Sequence, residues 1–470
     1  MSLDTVGGIR DAILIGQLSA REITEATLEH IHELDGGLNS FLTVADDQAL
    51  AEAEALDRRT ATEERPGPLW GVPFSVKDLY DTVGVRTTYG SRIYERHVPT
   101  VDAEIVARIR RAGGILVGKT NTPEFAIFIR TVNDLQPETV NPWDVRRTAG
   151  GSSGGSAASL AAGFTPIGVG SDGGGSVRIP AALCGLVGLL PSRGSVPRGG
   201  SRIGTRRFSA AGPMALNAID ATALWEVMRG PDVADPLSRG LAPPGVSGGP
   251  VAHHGARMRW IGESGAAGDD TSVVDVAHHG AQNLAAAVDA VLSESDLSLD
   301  SPRFADPFYT MMQSDRLATG GRELLREDAT ADLLTTYARH HFERGLLLRG
   351  DDYSNSLEMQ LTATDHLLGL LDGFDILLTP TVAAIAPEIP VDTQELPEDA
   401  RRGFVAFTFL MNYTGFPAAT VPCGLLHGMP VGLQLIGRPG TEGDLLTLCR
   451  MFQQDVFQLH TAPPFAHVAR

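Results

Sequence analysis

Gly150-Gly151-Ser152-Ser153-Gly154-Gly155-Ser156 leads into an alanine-rich run at Ser156–Ala162 and an apolar run at Thr165–Val169; Asp172-Gly173-Gly174-Gly175-Ser176-Val177-Arg178 follows. The alanine-rich run predicts a helix and the apolar run a strand, so the two glycine–serine segments sit where elements meet. Glycine runs are costly in regular elements because they lose the most backbone entropy on folding. They suit places where backbone must approach a ligand closely or take a positive φ. Three glycines before Ser176 would expose successive N–H groups, a nest able to hold a developing oxyanion beside the serine oxygen. Two flexible loops, or an anion site at a helix N-terminus, would explain the same spacing.

Outward from this segment the chain alternates. Ser19-Ala20-Arg21-Glu22 has the capping-box pattern and precedes Ile23, Ala26, Thr27, His30 and Ile31 on one helical face; a second helix is predicted from Asp46 to Arg59. Val72–Val76 reads as a strand, Ala103–Ala112 as a helix, and Ile115–Val117 as a strand. Leu241–Gly255 is rich in proline and glycine and reads as a surface loop. Beyond it, Met258–Ile261 reads as a strand, Val273–Leu292 as a helix and Phe304–Leu371 as mainly helical. Phe374–Leu378 and Val431–Ile436 read as strands either side of a proline-punctuated loop at Pro380–Pro390. Such alternation predicts an α/β sheet with helices on its faces, and no linker divides the chain.

The 470 residues carry 38 Lys and Arg against 57 Asp and Glu, a net charge of −19, with 43% hydrophobic and 20% charged residues. That balance is globular rather than disordered. It argues against nucleic acid and against an anionic membrane surface, both of which need a positive footprint. No run reaches the ~18 apolar residues of a spanning helix, and Met1-Ser2-Leu3-Asp4 lacks a basic, then apolar, leader. Cys184, Cys423 and Cys449 are odd in number and widely spaced, which suggests a reducing, cytoplasmic setting.

A serine nucleophile needs a base. No histidine is near either serine in sequence; Lys77, ending the apolar strand in Ser75-Val76-Lys77-Asp78, is the other candidate, since burial lowers a lysine pKa. Gly113–Thr120 matches Walker A spacing, but its strand lies inside the motif and Asn121-Thr122-Pro123 follows in place of a helix. Gly151–Gly155 matches the G-x-S-x-G elbow with Ser153 as nucleophile, but Arg146-Arg147-Thr148-Ala149 is not an apolar strand. The pairs His253-His254, His278-His279 and His340-His341 place neighbouring rings in different directions, a poor chelating arrangement.

Many segments in order resemble the amidase signature family of serine hydrolases: Gly71–Asp78, Gly118–Phe125, Asn141–Asp144, Gly150–Ser156, Gly170–Pro180, Gly212–Met214, Asp375–Pro380, Asn412–Gly415, Val421–Gly424 and Val431–Gln434. The resemblance implies one α/β/α domain over residues 1–470, with a mixed, mainly parallel twisted sheet surrounded by helices. Within it, 1–60 would form N-terminal helices, 61–240 the catalytic core with Lys77, Ser152 and Ser176, 256–372 a helical cover, and 373–470 the completion of the sheet. The resemblance also implies a Ser–cis-Ser–Lys triad: Ser176 as nucleophile, Ser152 as bridge with a cis link following it, and Lys77 as neutral base. Backbone N–H groups of Gly173, Gly174, Gly175 and Ser176 would form the oxyanion hole, and Ser153, Asp172 and Arg178 would brace the turn.

The chemistry implied is hydrolysis of an amide carbon–nitrogen bond, with carbamates and esters as further substrates, and with no metal or organic cofactor. A glutaminase-type subunit of a tRNA-dependent amidotransferase, needing a partner protein, is the alternative; otherwise a monomer or homodimer is expected. The sequence departs from the family at Ser171-Asp172-Gly173 and at Leu190, neither expected to touch the triad, and across Ile127–Thr139. Ile127, Phe128 and Ile129 from that stretch, with Tyr309 and Met312, are candidate pocket residues. An apolar lining there would favour aryl or alkyl amides, or urethanes, over small charged amides.

Overall fold

Among the described residues there are thirteen strands, most of them short apolar and β-branched runs too brief for stable helices. They are β1 (Phe41–Val44), β2 (Pro73–Lys77), β3 (Ile115–Thr120), β4 (Val140–Asn141), β5 (Asp144–Thr148), β6 (Ile167–Asp172), β7 (Val187–Leu190), β8 (Ala210–Ala215), β9 (Arg257–Trp260), β10 (Val291–Ser293), β11 (Ile376–Pro380), β12 (Ala418–Leu426) and β13 (Met429–Ile436). The computed structural model describes residues 3–60, 66–200, 207–238, 253–390, 403–457 and 459. Most of the loop expected at Leu241–Gly255 lies outside these residues.

Eleven strands form one sheet in the order β1-β3-β2-β6-β8-β7-β12-β13-β11-β9-β10; β4 and β5 pair separately. The sheet is mixed, within an α/β fold. It is not mainly parallel: only the runs β3–β2–β6 and β11–β9–β10 are parallel, and the remaining pairings are antiparallel. One reason is the tight turn at His427-Gly428, where both residues have positive φ and fold β12 straight back onto β13. Such turns match the twist of a hairpin.

In the first parallel run, Val76 of β2 lies between Lys119 of β3 and Val169 of β6. Lys77, Thr120 and Asp172 therefore close three adjacent strands at their carboxyl ends. That edge of a parallel sheet is where α/β folds place ligands.

The helix Gly154–Ala161 is buried at every residue. Its small side chains allow this: a Cβ on Gly155 would fall 2.4 Å from the Asn121 backbone nitrogen. One apolar layer joins Val76, Val117 and Val169 to the N-terminal helices Val6–Leu14 and Ala20–Leu34. The second contains Ile179, Phe308, Phe409 and Tyr413, and brings the helices Ser301–Arg316 and Gly350–Leu370 over the serine segments. At the chain start, Ser19 and Glu22 form the reciprocal capping box: Ser19 Oγ accepts from the Glu22 N–H at 3.1 Å and Glu22 accepts from the Ser19 N–H at 2.8 Å. The helix expected over Val273–Leu292 instead spans Thr271–Ala287; Asp289 takes a left-handed φ of 50° and releases Val291–Ser293 to pair as β10.

Candidate active site

Strand β2 carries the Lys77 side chain into a fully buried position. Its Nζ lies 2.6 Å from Ser152 Oγ, 2.9 Å from Ser171 Oγ and 3.0 Å from Ser153 Oγ. Burial holds its pKa well below the ordinary lysine value; the negative charge of Asp172 opposes this and the positive charge of Arg316 reinforces it. A neutral amine among three hydroxyls can accept a proton from one while donating to others.

The turn before helix Gly154–Ala161 presents Ser152 to this lysine. The peptide bond between Gly151 and Ser152 is cis, so the cis link precedes Ser152 where the resemblance implied one following it. Thr131, from the divergent Ile127–Thr139 stretch, holds the turn: its Oγ1 donates to the Gly150 carbonyl at 2.8 Å and accepts from the Gly154 N–H at 3.0 Å. Ser153 hydrogen-bonds to Lys77 and to both backbone groups of Ser171, and it does not line the cavity below. It stands behind the site, out of reach for an elbow nucleophile.

Asp172 organises the second segment. Its carboxylate accepts from the Gly175 N–H at 2.6 Å, the Val177 N–H at 3.2 Å, Arg178 Nε at 2.9 Å and Asn412 Nδ2 at 3.0 Å. Burial alone would push this carboxyl up, but the Arg178 charge and these hydrogen bonds hold it below its usual value. Arg178, itself fully buried, also donates to Gln434 Oε1 and Asn412 Oδ1, each at 2.7 Å. Asn412 and Gln434 belong to segments already noted for their resemblance, yet their contact with this turn was not legible in spacing alone.

Gly175 needs its freedom: φ is 122°, and a Cβ there would sit 2.3 Å from Thr408 Oγ1. Its N–H is turned inward to Asp172, which removes it from the expected oxyanion hole. The N–H groups of Gly173, Gly174 and Ser176 meet no acceptor among the described residues. Ser171 also departs from expectation. Expected to stand apart from the triad, it hydrogen-bonds to Lys77 Nζ, because β6 runs directly beside β2.

Ser152, Ser171, Gly173, Gly174 and Ser176 open onto one cavity. Ile127, Phe128, Ile129, Tyr309 and Met312 all line it, as does Phe308. Ser176 Oγ and Ser152 Oγ share the cavity without a direct hydrogen bond between them among the described residues; such bonds often tighten only with substrate. The sequence reading missed Arg198, Ser209 and Arg316 in the polar part of the lining, because isolated polar residues in helices and loops carry no spacing signal, and it weighed His341 only as one of an adjacent pair.

The decoys resolve elsewhere. Lys119 lies within β3, buried, and donates to Thr82 Oγ1 at 2.9 Å, Thr87 Oγ1 at 2.8 Å and the Tyr80 carbonyl, with Asp78 at 3.8 Å. Burial lowers its pKa to about 8, against the pull of Asp78. A strand lysine spent on the loop that follows β2 is no phosphate cradle. His278 stacks on Trp260 and pairs with Glu294 at 2.8 Å, and His253 pairs with Asp444 at 3.0 Å. Among the described residues no group of three or more His, Cys, Asp or Glu could hold a metal ion, and no helix is long and apolar enough to cross a membrane.

A mixed α/β sheet that delivers a buried lysine to a cis-peptide serine beside a glycine–serine turn defines a hydrolase of the amidase signature class. The chain belongs to that family: the family model described as Amidase matches residues 22–446. It is 34% identical to a glutamyl-tRNA(Gln) amidotransferase subunit from Symbiobacterium thermophilum, with 96% of each chain covered. Among solved structures it resembles a bacterial aryl acylamidase of the amidase signature family, with 27% identity, a TM-score of 0.85 and 96% of each chain covered. The corresponding glutamyl-tRNA(Gln) amidotransferase subunit from Thermotoga maritima is also similar, with 27% identity, a TM-score of 0.74, and 93% of this chain and 92% of that one covered.

Proposed function

We propose that this chain hydrolyses the carbon–nitrogen bond of an amide with a sizeable apolar part, through Ser176, Ser152 and Lys77. The observation that carries the reading is the buried Lys77 amine, 2.6 Å from Ser152 Oγ, behind a cavity that Ser152 shares with Ser176. Burial disfavours the charged ammonium and so favours the neutral amine, the form that can act as a base. As Ser176 Oγ attacks the carbonyl carbon, its proton passes to Ser152 Oγ and the Ser152 proton to Lys77 Nζ. The carbonyl oxygen becomes an oxyanion facing the free N–H groups of the Gly173–Ser176 turn. The relay then runs backwards to protonate the leaving nitrogen, which departs as a neutral amine. Water, deprotonated by the same relay, attacks the acyl-enzyme and frees the acid and Ser176.

Carbamates and esters fit this relay too, because it asks only for a carbonyl and a leaving group that can take a proton. No step calls for a partner chain, so a monomer or homodimer would suffice. A cytoplasmic setting agrees with three cysteines that are all free and buried.

The amidotransferase relatives favour a second reading, in which glutamine is the substrate and a partner takes the ammonia. Against it, no aspartate or glutamate among the described residues lines the cavity to receive an α-ammonium group. The test is turnover by the purified chain alone on para-nitroanilides with short, long and aryl acyl groups, beside an alkyl carbamate, with Ser176→Ala as the blank. Release that Ser176→Ala abolishes is the expected result. Silence on all of these, with ammonia released from glutamine, would transfer the assignment to the second reading.

A further inference from the structure

The cavity has an apolar wall, but it also carries charge of one sign. The guanidiniums of Arg198 and Arg316 line it, with His341 beside them, and no carboxylate among the described residues does. Arg316 ends the helix Ser301–Arg316 and is only 6% exposed. Its Nη2 donates to the Ala126 carbonyl at 3.2 Å, which ties the guanidinium to the segment that supplies Ile127, Phe128 and Ile129. Its charge reaches the catalytic end of the cavity, where it adds to the lowering of the Lys77 pKa. Arg198 follows β7, and its backbone N–H is fixed to Asp235 at 2.9 Å.

Two guanidiniums and no described carboxylate line one cavity in a chain of net charge −19, so the local charge runs against that of the whole. Guanidinium forks match a carboxylate in shape and bind it through two parallel N–H donors. An anion entering this cavity meets attraction from each charged side chain that lines it and repulsion from none. A cationic substrate meets the reverse, beside hydroxyls that cannot neutralise it.

We propose that the amide substrate carries a carboxylate, received by Arg198 and Arg316 while its carbon chain lies on the Ile127–Ile129 and Phe308–Met312 wall and its carbonyl at Ser176. This inference rests on the hydrolase reading of the same cavity. It also revises the expectation from sequence that charged amides are disfavoured: the apolar wall is present, but the charge beside it selects for an acid on the same molecule.

Binding and turnover are measured separately, so that each idea can fail alone. Calorimetric titration into Ser176→Ala compares glutaryl-para-nitroanilide with pentanoyl-para-nitroanilide, and N-butyryl-para-aminobenzoate with N-butyryl-para-aminobenzamide. The pairs place the carboxylate on the acyl or the leaving side. In at least one pair the charged member should bind at least about tenfold tighter. That preference should shrink to within about threefold when Arg316→Gln is added, and survive largely with Arg316→Lys. Arg198→Gln gives a second, independent loss should Arg316→Gln fail to fold by circular dichroism. Equal or weaker binding of the charged member in both pairs overturns the anion site, whatever the wild-type protein hydrolyses. A clear charge preference with no wild-type turnover of any compound would overturn the hydrolase reading and leave the anion site standing.

Discussion

At Lys77 the decisive quantity is a proton. Buried and beside three hydroxyls, the amine gives up its proton below the pH at which an exposed lysine would, and only the neutral form can accept one from Ser152. The sign follows: kcat/KM should rise with pH through the folded-state pKa of Lys77 and fall away as acid protonates it. Arg316 lowers that pKa, so Arg316→Gln should move the rising limb to higher pH. A pH–rate profile on a neutral anilide checks this, and a limb that stays put or moves to lower pH refutes the role given to Arg316. Lys77→Ala should lower kcat/KM by about 10²–10⁴-fold, the usual worth of a positioned base. Ser171→Ala removes one hydrogen bond at 2.9 Å from the same nitrogen and should cost roughly tenfold in kcat with little change in KM, equivalent to about 1–1.5 kcal/mol. Full kcat in that variant would mean that Ser171 merely fills space.

The Asp172–Arg178 turn shows how an element is held from outside itself. Asp172 and Arg178 are both fully buried, and their partners Asn412 and Gln434 come from the far end of the chain. Arg178→Met would leave the Asp172 carboxylate buried without its cation, which should destabilise the protein by about 3–5 kcal/mol in urea melts. A loss under about 1 kcal/mol would show that Asn412 and the backbone N–H groups satisfy Asp172 alone. What the sequence revealed of this turn divides along physical lines. The glycines and serines stood out by their spacing, which loops or a helix N-terminal anion site would also explain, and Lys77 by ending an apolar strand; the roles of all three triad residues came from the family resemblance. The inward N–H of Gly175 was not legible, since it depends on where the Asp172 carboxylate points. Nor was Ser171, which reaches Lys77 only because β6 lies next to β2. Strands β7, β8 and β12 were overlooked because glycine and proline interrupt them; Pro422 is tolerated where the β12–β13 register shifts. The alternation of helix and strand gave the α/β class, but strand direction depends on connections such as the His427-Gly428 turn, which apolar patterning does not encode.

The order of strands across the sheet places two of the last strands of the chain in its interior. β12 and β13 lie between β7 and β11, so they join the strands bearing Lys77 and Asp172 to the run β11–β9–β10. Without them each half would expose an unpaired edge that is now buried, β7 on one side and β11 on the other, a liability that folded proteins avoid. The same hairpin brings Gln434 to Arg178, so the sheet's continuity and the bracing of the serine turn are one structural fact. A chain ending at Gly415 should therefore lose both. We expect it to be cleaved rapidly in limited proteolysis across β2, β6 and β9 alike, and to be inactive. The Gln434→Leu variant is the control: it removes the hydrogen bond at 2.7 Å from Arg178 together with those to Thr379 Oγ1 at 2.9 Å and the Phe407 carbonyl at 2.8 Å, but leaves the β13 backbone paired on both sides. It should resist protease like the wild type while losing part of its activity. If the shortened chain kept protease resistance in β2 and β6 and lost it only in β9 and β11, the sheet would be two independent halves that the hairpin merely links. If it lost resistance throughout, folding of the lysine–serine cluster would depend on strands made more than three hundred residues after Lys77.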